Sequence, residues 1–247
     1  MARRIGFLGP VGTYTEEAAL LYAPEANLQP FPTIGAVGLA VSSAITQEGV
    51  VPIENSLEGS VTYTLDLLTS QTDLSIRNEV VLPIDHYLMA SPGTRADHIQ
   101  VIYSHPQALA QCRDFLESCF PNAHQMASLS TVAAVSDMSA STVPAAAIAP
   151  RRAADLHDVE IIGRSIQDNS NNVTRFVVLA NEDHPPTGKD KTSICFTFDE
   201  DAPGLLYRAL GEFAQRSINL VKVESRPTKQ SLGRYIFLID CDGHRED

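Results

Sequence analysis

The period of apolar residues changes repeatedly along the chain. Short apolar runs at 4–8, 27–31 and 50–51 are each followed by segments whose apolar residues recur every three or four positions. The first pattern suits a buried strand and the second a helix with one apolar face. Thr13 and Glu16 have the spacing of a capping box, which predicts a helix running through Leu20 and Leu21. Further helices are expected over 34–45 and 61–68. Such alternation predicts a mostly parallel sheet with crossover helices.

A long β-rich segment, 79–90, ends at Ser91-Pro92-Gly93. Its length suits a strand that passes from one lobe to another. The alternation then restarts with strand 100–103, helix 106–119, strand 124–127, helix 131–139, strand 145–149 and a helix from Arg151. Ile161 and Ile162 lead through 167–172 to an apolar strand at Phe176. One lobe is therefore expected inside another, with crossings near 85–92 and 163–173. Ligands of such folds lie in the cleft between lobes. Residues 182–191 have the polar, Pro- and Gly-bearing composition of a linker. Beyond it the pattern predicts strand 193–198, helix 203–216 and strands 220–225 and 234–240, a β-α-β-β order.

Composition narrows the choice of partner. With 44% hydrophobic and 19% charged residues, a packed core is expected. The net charge of -12 argues against nucleic acid and anionic membranes, which attract basic faces. An anionic substrate would have to be held by local chemistry. No run approaches the ~18 apolar residues of a membrane span. Arg3 and Arg4 precede only the short run Ile5–Leu8, so no secretion signal is visible and a cytoplasmic location is expected. Cys112, Cys119, Cys195 and Cys241 form no Cys-x-x-Cys pair and read as reduced thiols. Cys112 and Cys119 on one helix would lie about 10 Å apart, beyond disulfide reach. Neither a metal nor a cofactor is expected. Apart from His105, the histidines read as surface residues.

Four polar clusters follow apolar segments, where an open α/β sheet presents residues to a ligand. In Gly9–Thr15, amides at a helix start with the Thr13 and Thr15 hydroxyls make an anion cradle, or simply a capped helix. Pro52–Gly59 sets a carboxylate, an amide and a hydroxyl side by side in Glu54, Asn55 and Ser56; these suit a polar substrate or a helix cap. Ser104, His105, Pro106 and Gln107 open a helix on which Gln111 lies one turn beyond Gln107. A positive imidazolium is disfavoured at a helix start, so His105 reads as structural rather than as a base. Asn172–Phe176 sets the Thr174 hydroxyl beside the Arg175 guanidinium, which can grip a carboxylate bidentately.

Together these clusters resemble the prephenate dehydratase family, and the last region, with Gly204-Leu205-Leu206 and Glu224-Ser225-Arg226-Pro227, resembles an ACT regulatory domain. The resemblance implies a two-lobed catalytic domain similar to type II periplasmic binding proteins over 1–181, its lobes near 1–85 plus 173–181 and 86–172. An ACT domain over 192–247 follows, incomplete because the chain stops without the family's second helix and fourth strand. With no chorismate mutase helix before residue 1, the monofunctional form is implied.

The implied reaction turns prephenate into phenylpyruvate, water and carbon dioxide on the route to phenylalanine. Thr174 corresponds to the general acid, with Glu54 and Asn55 beside it, and Thr13, Ser56, Ser104, Gln111 and Arg175 match substrate-binding positions. The sequence leaves open whether Thr174 or a Glu54 of raised pKa donates the proton. Tight pairing to the ring carboxylate would favour the ground state over the decarboxylating transition state. Arg175 is therefore expected on the pyruvyl carboxylate, with neutral donors at the ring carboxylate. Phenylalanine is the implied effector at Gly204–Leu206 and Glu224–Pro227, where Leu205 replaces the family's usual Ala and narrows the pocket. Pairing into a dimer or tetramer through the ACT domains is implied as well. A different class also fits the residues: a non-catalytic protein of the same two-lobed fold that binds or senses an amino acid or small anion.

Overall fold

The first apolar run forms β1 (Arg4–Leu8), and its neighbours follow in the expected alternation: α1 (Tyr14–Tyr22), β2 (Asn27–Phe31), α2 (Ile34–Ser42), β3 (Glu48–Asn55), the short β4 (Gly59–Ser60), α3 (Thr62–Ser70) and β5 (Ser75–Pro83). The chain continues through β6 (Tyr87–Ala90), β7 (Val101–Ser104), α4 (Pro106–Gln111), α5 (Arg113–Cys119), β8 (His124–Ala127), α6 (Thr131–Ser139), β9 (Ala145–Ala149), α7 (Arg151–Leu156), β10 (Glu160–Gly163) and β11 (Val173–Ala180). The computed structural model describes residues 3–70, 72–200, 202–229 and 233–247. It divides into two units, Met1–Glu182 and Asp183–Asp247.

The first unit holds two sheets, ordered β2-β1-β3-β11-β5 and β10-β6-β9-β7-β8. Strands joined by crossover helices are parallel, as in β1 with β2 and β3, and β7 with β8 and β9. The sheets are nonetheless mixed rather than mostly parallel. β11 returns from the inserted lobe and so runs antiparallel to both β3 and β5, while β6 runs antiparallel to β9 and β10. A reversal of this kind follows from two lobes sharing two crossings.

Each sheet packs its apolar residues under helices. Ile5, Phe7, Val50, Phe176 and Val178 form one core with Ala18 and Ala19 of α1. On the other side α2 approaches β3 so closely that a Cβ on Gly49 would lie 2.5 Å from Val37 Cγ1. In the second sheet Leu88, Ile102 and Ile148 pack on Leu109 and Leu116, and Met89 and Ala147 pack on Val135.

The segment 79–90 is not one strand. It breaks at 84–86 into β5 and β6, which belong to different sheets. The returning crossing lies alongside. The Ile84 N–H donates to the Asn172 carbonyl at 2.8 Å, and the Ile166 N–H donates to the His86 carbonyl at 3.0 Å. The expected helix 106–119 likewise breaks at Cys112 into α4 and α5. No helix among the described residues is long and apolar enough to cross a membrane.

In the second unit β12 (Lys191–Phe196), α8 (Leu205–Gln215), β13 (Leu220–Pro227) and β14 (Tyr235–Asp242) realise the β-α-β-β order. The sheet order is β12-β14-β13, with both pairings antiparallel. The Phe196 ring stacks on Phe237 at 5.6 Å between centroids. Gly204 caps α8 at a left-handed φ of 86°, a conformation that glycine adopts without strain.

Candidate active site

Strands β3 and β11 place Thr174 opposite Asn55 and Arg175 opposite Glu54. The next pair is Phe176 with Pro52, so Ile53 is an extra residue on β3, a bulge that re-aims the end of the strand. Successive strand residues project to opposite faces. Thr174 and Asn55 therefore share one face, and Arg175 and Glu54 the other.

On the first face the side chains form a continuous chain of hydrogen bonds. Asn55 Oδ1 accepts the N–H groups of Leu57 at 3.0 Å and Glu58 at 3.1 Å, which fixes the direction of its amide. Asn55 Nδ2 then donates to Thr174 Oγ1 at 2.9 Å and to Asn172 Oδ1 at 2.7 Å. Asn172 Nδ2 donates onward to Gln111 Oε1 at 2.9 Å. Gln111 Oε1 also meets His86 Nε2 at 2.9 Å, and its Nε2 lies 3.4 Å from Glu58 Oε1. The chain thus joins both lobes and both crossings. Asn172 is 1% exposed, His86 3% and Thr174 9%. Within this network Thr174 Oγ1 acts as an acceptor, and its own proton is not used.

The other face is charged. Arg175 Nε lies 2.6 Å from Glu79 Oε2, and its Nη1 lies 3.7 Å from Glu54 Oε2. The guanidinium expected beside the Thr174 hydroxyl is thus turned away from it and engaged by carboxylates of its own chain.

The remaining expected residues divide. Ser56 ties the end of β3 to the returning crossing: its Oγ donates to the Asn171 carbonyl at 3.1 Å and accepts the Val173 N–H at 3.0 Å. Ser104 is not brought to this cluster's surface. It is fully buried, and its Oγ donates to the Ile148 carbonyl at 2.7 Å across the second sheet. Thr13 caps α1, accepting the Glu16 N–H at 3.4 Å and donating to the Pro10 carbonyl at 3.0 Å. The Gly12 amide, part of the expected anion cradle, already donates to Glu16 Oε2 at 2.7 Å. Arg152 Nε from the inserted lobe reaches the same oxygen at 3.3 Å. His105 accepts the Gln107 N–H through Nδ1 at 3.3 Å, the structural role expected of it.

Two members of the network have no role that the sequence motifs assign. Asn172 stands there only as the start of a motif. His86 is expected at the surface, yet it is buried, and that burial holds its pKa below the ordinary value against the opposing Gln111 hydrogen bond. The signal that finds it is period two: Val80, Leu82, Ile84, His86 and Leu88 are all buried. Beside it the Tyr14 ring stands edge-on at 6.2 Å, and the Tyr14 hydroxyl donates to the Asp85 carbonyl. Burial raises the pKa of that phenol well above its usual range.

In the second unit Leu205 and Leu206 form the first turn of α8. Glu224, Ser225, Arg226 and Pro227 close β13 opposite Leu238, Phe237, Ile236 and Tyr235. Asp183, His184 and His244 offer ligand atoms within 4.8 Å of one another. That cluster is held by its own bonds, since the ring nitrogens of His244 meet the His184 carbonyl at 3.1 Å and the Glu246 N–H at 3.2 Å.

Comparison with known proteins gives a consistent assignment. The prephenate dehydratase family model matches residues 5–184 and the ACT domain model residues 200–247. The chain is 40% identical to the bifunctional chorismate mutase/prephenate dehydratase of Aquifex aeolicus over 245 residues, 99% of this chain and 67% of that protein. It is 36% identical to the prephenate dehydratase of Lactococcus lactis over 98% of this chain and 87% of that one. The solved prephenate dehydratase of Arthrobacter aurescens in complex with L-Phe superposes with a TM-score of 0.90 at 36% identity, covering 98% of this chain and 80% of that one. This chain spans 66–67% of the length of the bifunctional relatives that it matches.

Proposed function

This chain belongs to the prephenate dehydratase family, and from that premise we propose that it converts prephenate to phenylpyruvate, water and carbon dioxide, a carbon–oxygen lyase step toward phenylalanine. In this reaction the ring carboxylate leaves as carbon dioxide and its bonding electrons enter the ring. The ring hydroxyl departs with a donated proton as water. Aromatisation supplies the driving force, and the poor leaving group sets the barrier, so what the protein must supply is an acid.

The observation that carries the reading is the hydrogen bond from Asn55 Nδ2 to Thr174 Oγ1. A threonine hydroxyl is a very weak acid. An N–H aimed at its oxygen stabilises the charge that grows there as the proton leaves. The same bond leaves the hydroxyl proton to be given outward. Glu54, the other candidate donor, lies on the opposite face with Arg175, which favours Thr174 as the acid. Glu58, touching Gln111 across the lobes, is a carboxylate placed near the network.

Arg175 has a different part from the one its sequence suggests. Held by Glu54 and Glu79, it anchors the edge of the site, and gripping the pyruvyl carboxylate would require exchange of Glu54 for substrate. Neutral amides and hydroxyls then face the ring carboxylate, which avoids overstabilising the ground state.

Phenylalanine acts as feedback effector through the second unit, a reading supported by the relative solved with L-Phe. The segments Gly204–Leu206 and Glu224–Pro227 form its binding surface. Two copies pair through these units: none of the residues of α8 is buried, although Leu205, Leu206, Ala209, Leu210 and Phe213 make it apolar along one side. The pathway step and the reduced cysteines suit a cytoplasmic enzyme.

The test adds prephenate and follows phenylpyruvate absorbance with and without phenylalanine. Turnover that phenylalanine suppresses is expected. Prephenate binding without turnover would overturn the enzymatic reading and leave a two-lobed binding protein in its place.

A further inference from the structure

We propose that His86 is a positioning residue for this reaction: as neutral imidazole with its hydrogen on Nε2, it braces the Gln111 end of the amide chain that ends on Thr174. The inference rests on the dehydratase reading for its kinetic consequence, and on geometry alone for the state of the ring.

The sense of the chain is dictated from the backbone. Two N–H groups, those of Leu57 and Glu58, point at Asn55 Oδ1, so its Nδ2 has to face Thr174 and Asn172. Asn172 must then present Oδ1 to Asn55 and Nδ2 to Gln111. Gln111 consequently shows its carbonyl oxygen to Asn172, and the same oxygen lies 2.9 Å from His86 Nε2. A bare imidazole nitrogen there would set two lone pairs against each other, so Nε2 carries the hydrogen. Among the described residues His86 Nδ1 has no partner, and it is buried. That fits a lone pair, because orphaned N–H groups are rarer in folded proteins than under-satisfied acceptors.

The ring also has little freedom to leave this pose. The His86 N–H donates to Gln167 Oε1 at 2.9 Å, and its carbonyl accepts the Ile166 N–H at 3.0 Å. Gln167 is held in turn by Asp85 Oδ1 at 2.6 Å, and the Tyr14 ring closes one side. His86 touches no reacting atom in this scheme. It acts through Gln111, whose oxygen takes from it a second donor beside Asn172. Without that donor the amide is held, among the described residues, by Asn172 and Glu58 alone. A looser Gln111 leaves Asn172, and through it the Asn55 amide that meets Thr174, less firmly placed.

The experiment compares wild type, His86→Leu and His86→Gln. With prephenate as substrate, the Leu variant is expected to lose kcat on the order of 10- to 100-fold with KM little changed. The Gln variant, whose amide N–H reaches the same oxygen, is expected to recover most of that loss. Full turnover in His86→Leu overturns the proposal. So does a Gln variant as slow as the Leu variant when both keep the wild-type Tm. Should His86→Leu fail to fold, long-range 1H–15N spectra of the wild-type imidazole still decide, since a hydrogen on Nδ1 at neutral pH refutes the assignment. If the wild type makes no phenylpyruvate, the dehydratase reading falls, and the same spectrum judges His86 on its own.

Discussion

The two faces of β11 differ by a single step along the chain. On one, Thr174 meets amides that are neutral and directional; on the other, Arg175 meets the carboxylates of Glu54 and Glu79. The neutral face carries information about which way a hydrogen points, and the bulge at Ile53 sets the register of both faces at this end of the strand. The charged face carries attraction with little directional demand. A reaction that must expel hydroxide from an anionic substrate is better served by the first. A strong local cation would hold the substrate's carboxylate in place, while a polarised hydroxyl helps only as the bond breaks.

The sharpest way to break the contrast is to remove one functional group on each face. Thr174→Ala should lower kcat by about 10²- to 10⁴-fold, the range of a lost general acid, while Thr174→Ser keeps much of the rate. Glu79→Gln should leave kcat close to wild type, and an equal loss there would erase the distinction between faces. Next in size, Asn55→Leu should cost about 10²- to 10³-fold in kcat by removing the N–H that steadies the threonine oxygen. Steady-state kinetics with prephenate checks each case.

On the charged face the expected damage is to stability. Arg175→Leu leaves Glu54 and Glu79 without the guanidinium that each approaches, and thermal unfolding should report a loss of about 1–3 kcal/mol. Adding Glu79→Gln to that variant should restore part of it, and a simple sum of the two effects would show that the groups do not interact.

The smallest effect is one of pH and belongs to the neutral face. Burial keeps the His86 pKa in the folded chain below its ordinary value of about 6.5. The unfolded chain therefore binds the proton first, and stability should fall as pH drops below about 6.5 until the folded ring titrates too. The Tm of His86→Gln should lack this part of the slope across the same range.

Much of the architecture is legible from spacing. The alternation of strand and helix, the cap at Thr13 and the β-α-β-β order of the second unit follow from local patterns. The illegible part depends on register. Glu54 and Asn55 are adjacent in the sequence, and only their pairing with Arg175 and Thr174 sends them to opposite faces. Ser104 ends a strand as a ligand-binding serine would, but a carbonyl of the neighbouring strand takes its hydroxyl. His86 is hidden for a simpler reason: metal-ligand spacing says nothing about it, whereas an every-second-residue pattern marks it as interior.

The paired crossings decide which contacts of the network belong to one lobe and which span two. Gln111 rides on the inserted lobe and Glu58 on its neighbour, while Asn172 lies in the strap between them. Any motion that parts the lobes would break the Gln111–Glu58 contact, whereas the Asn55–Thr174 bond joins neighbouring strands of one sheet and would travel with it.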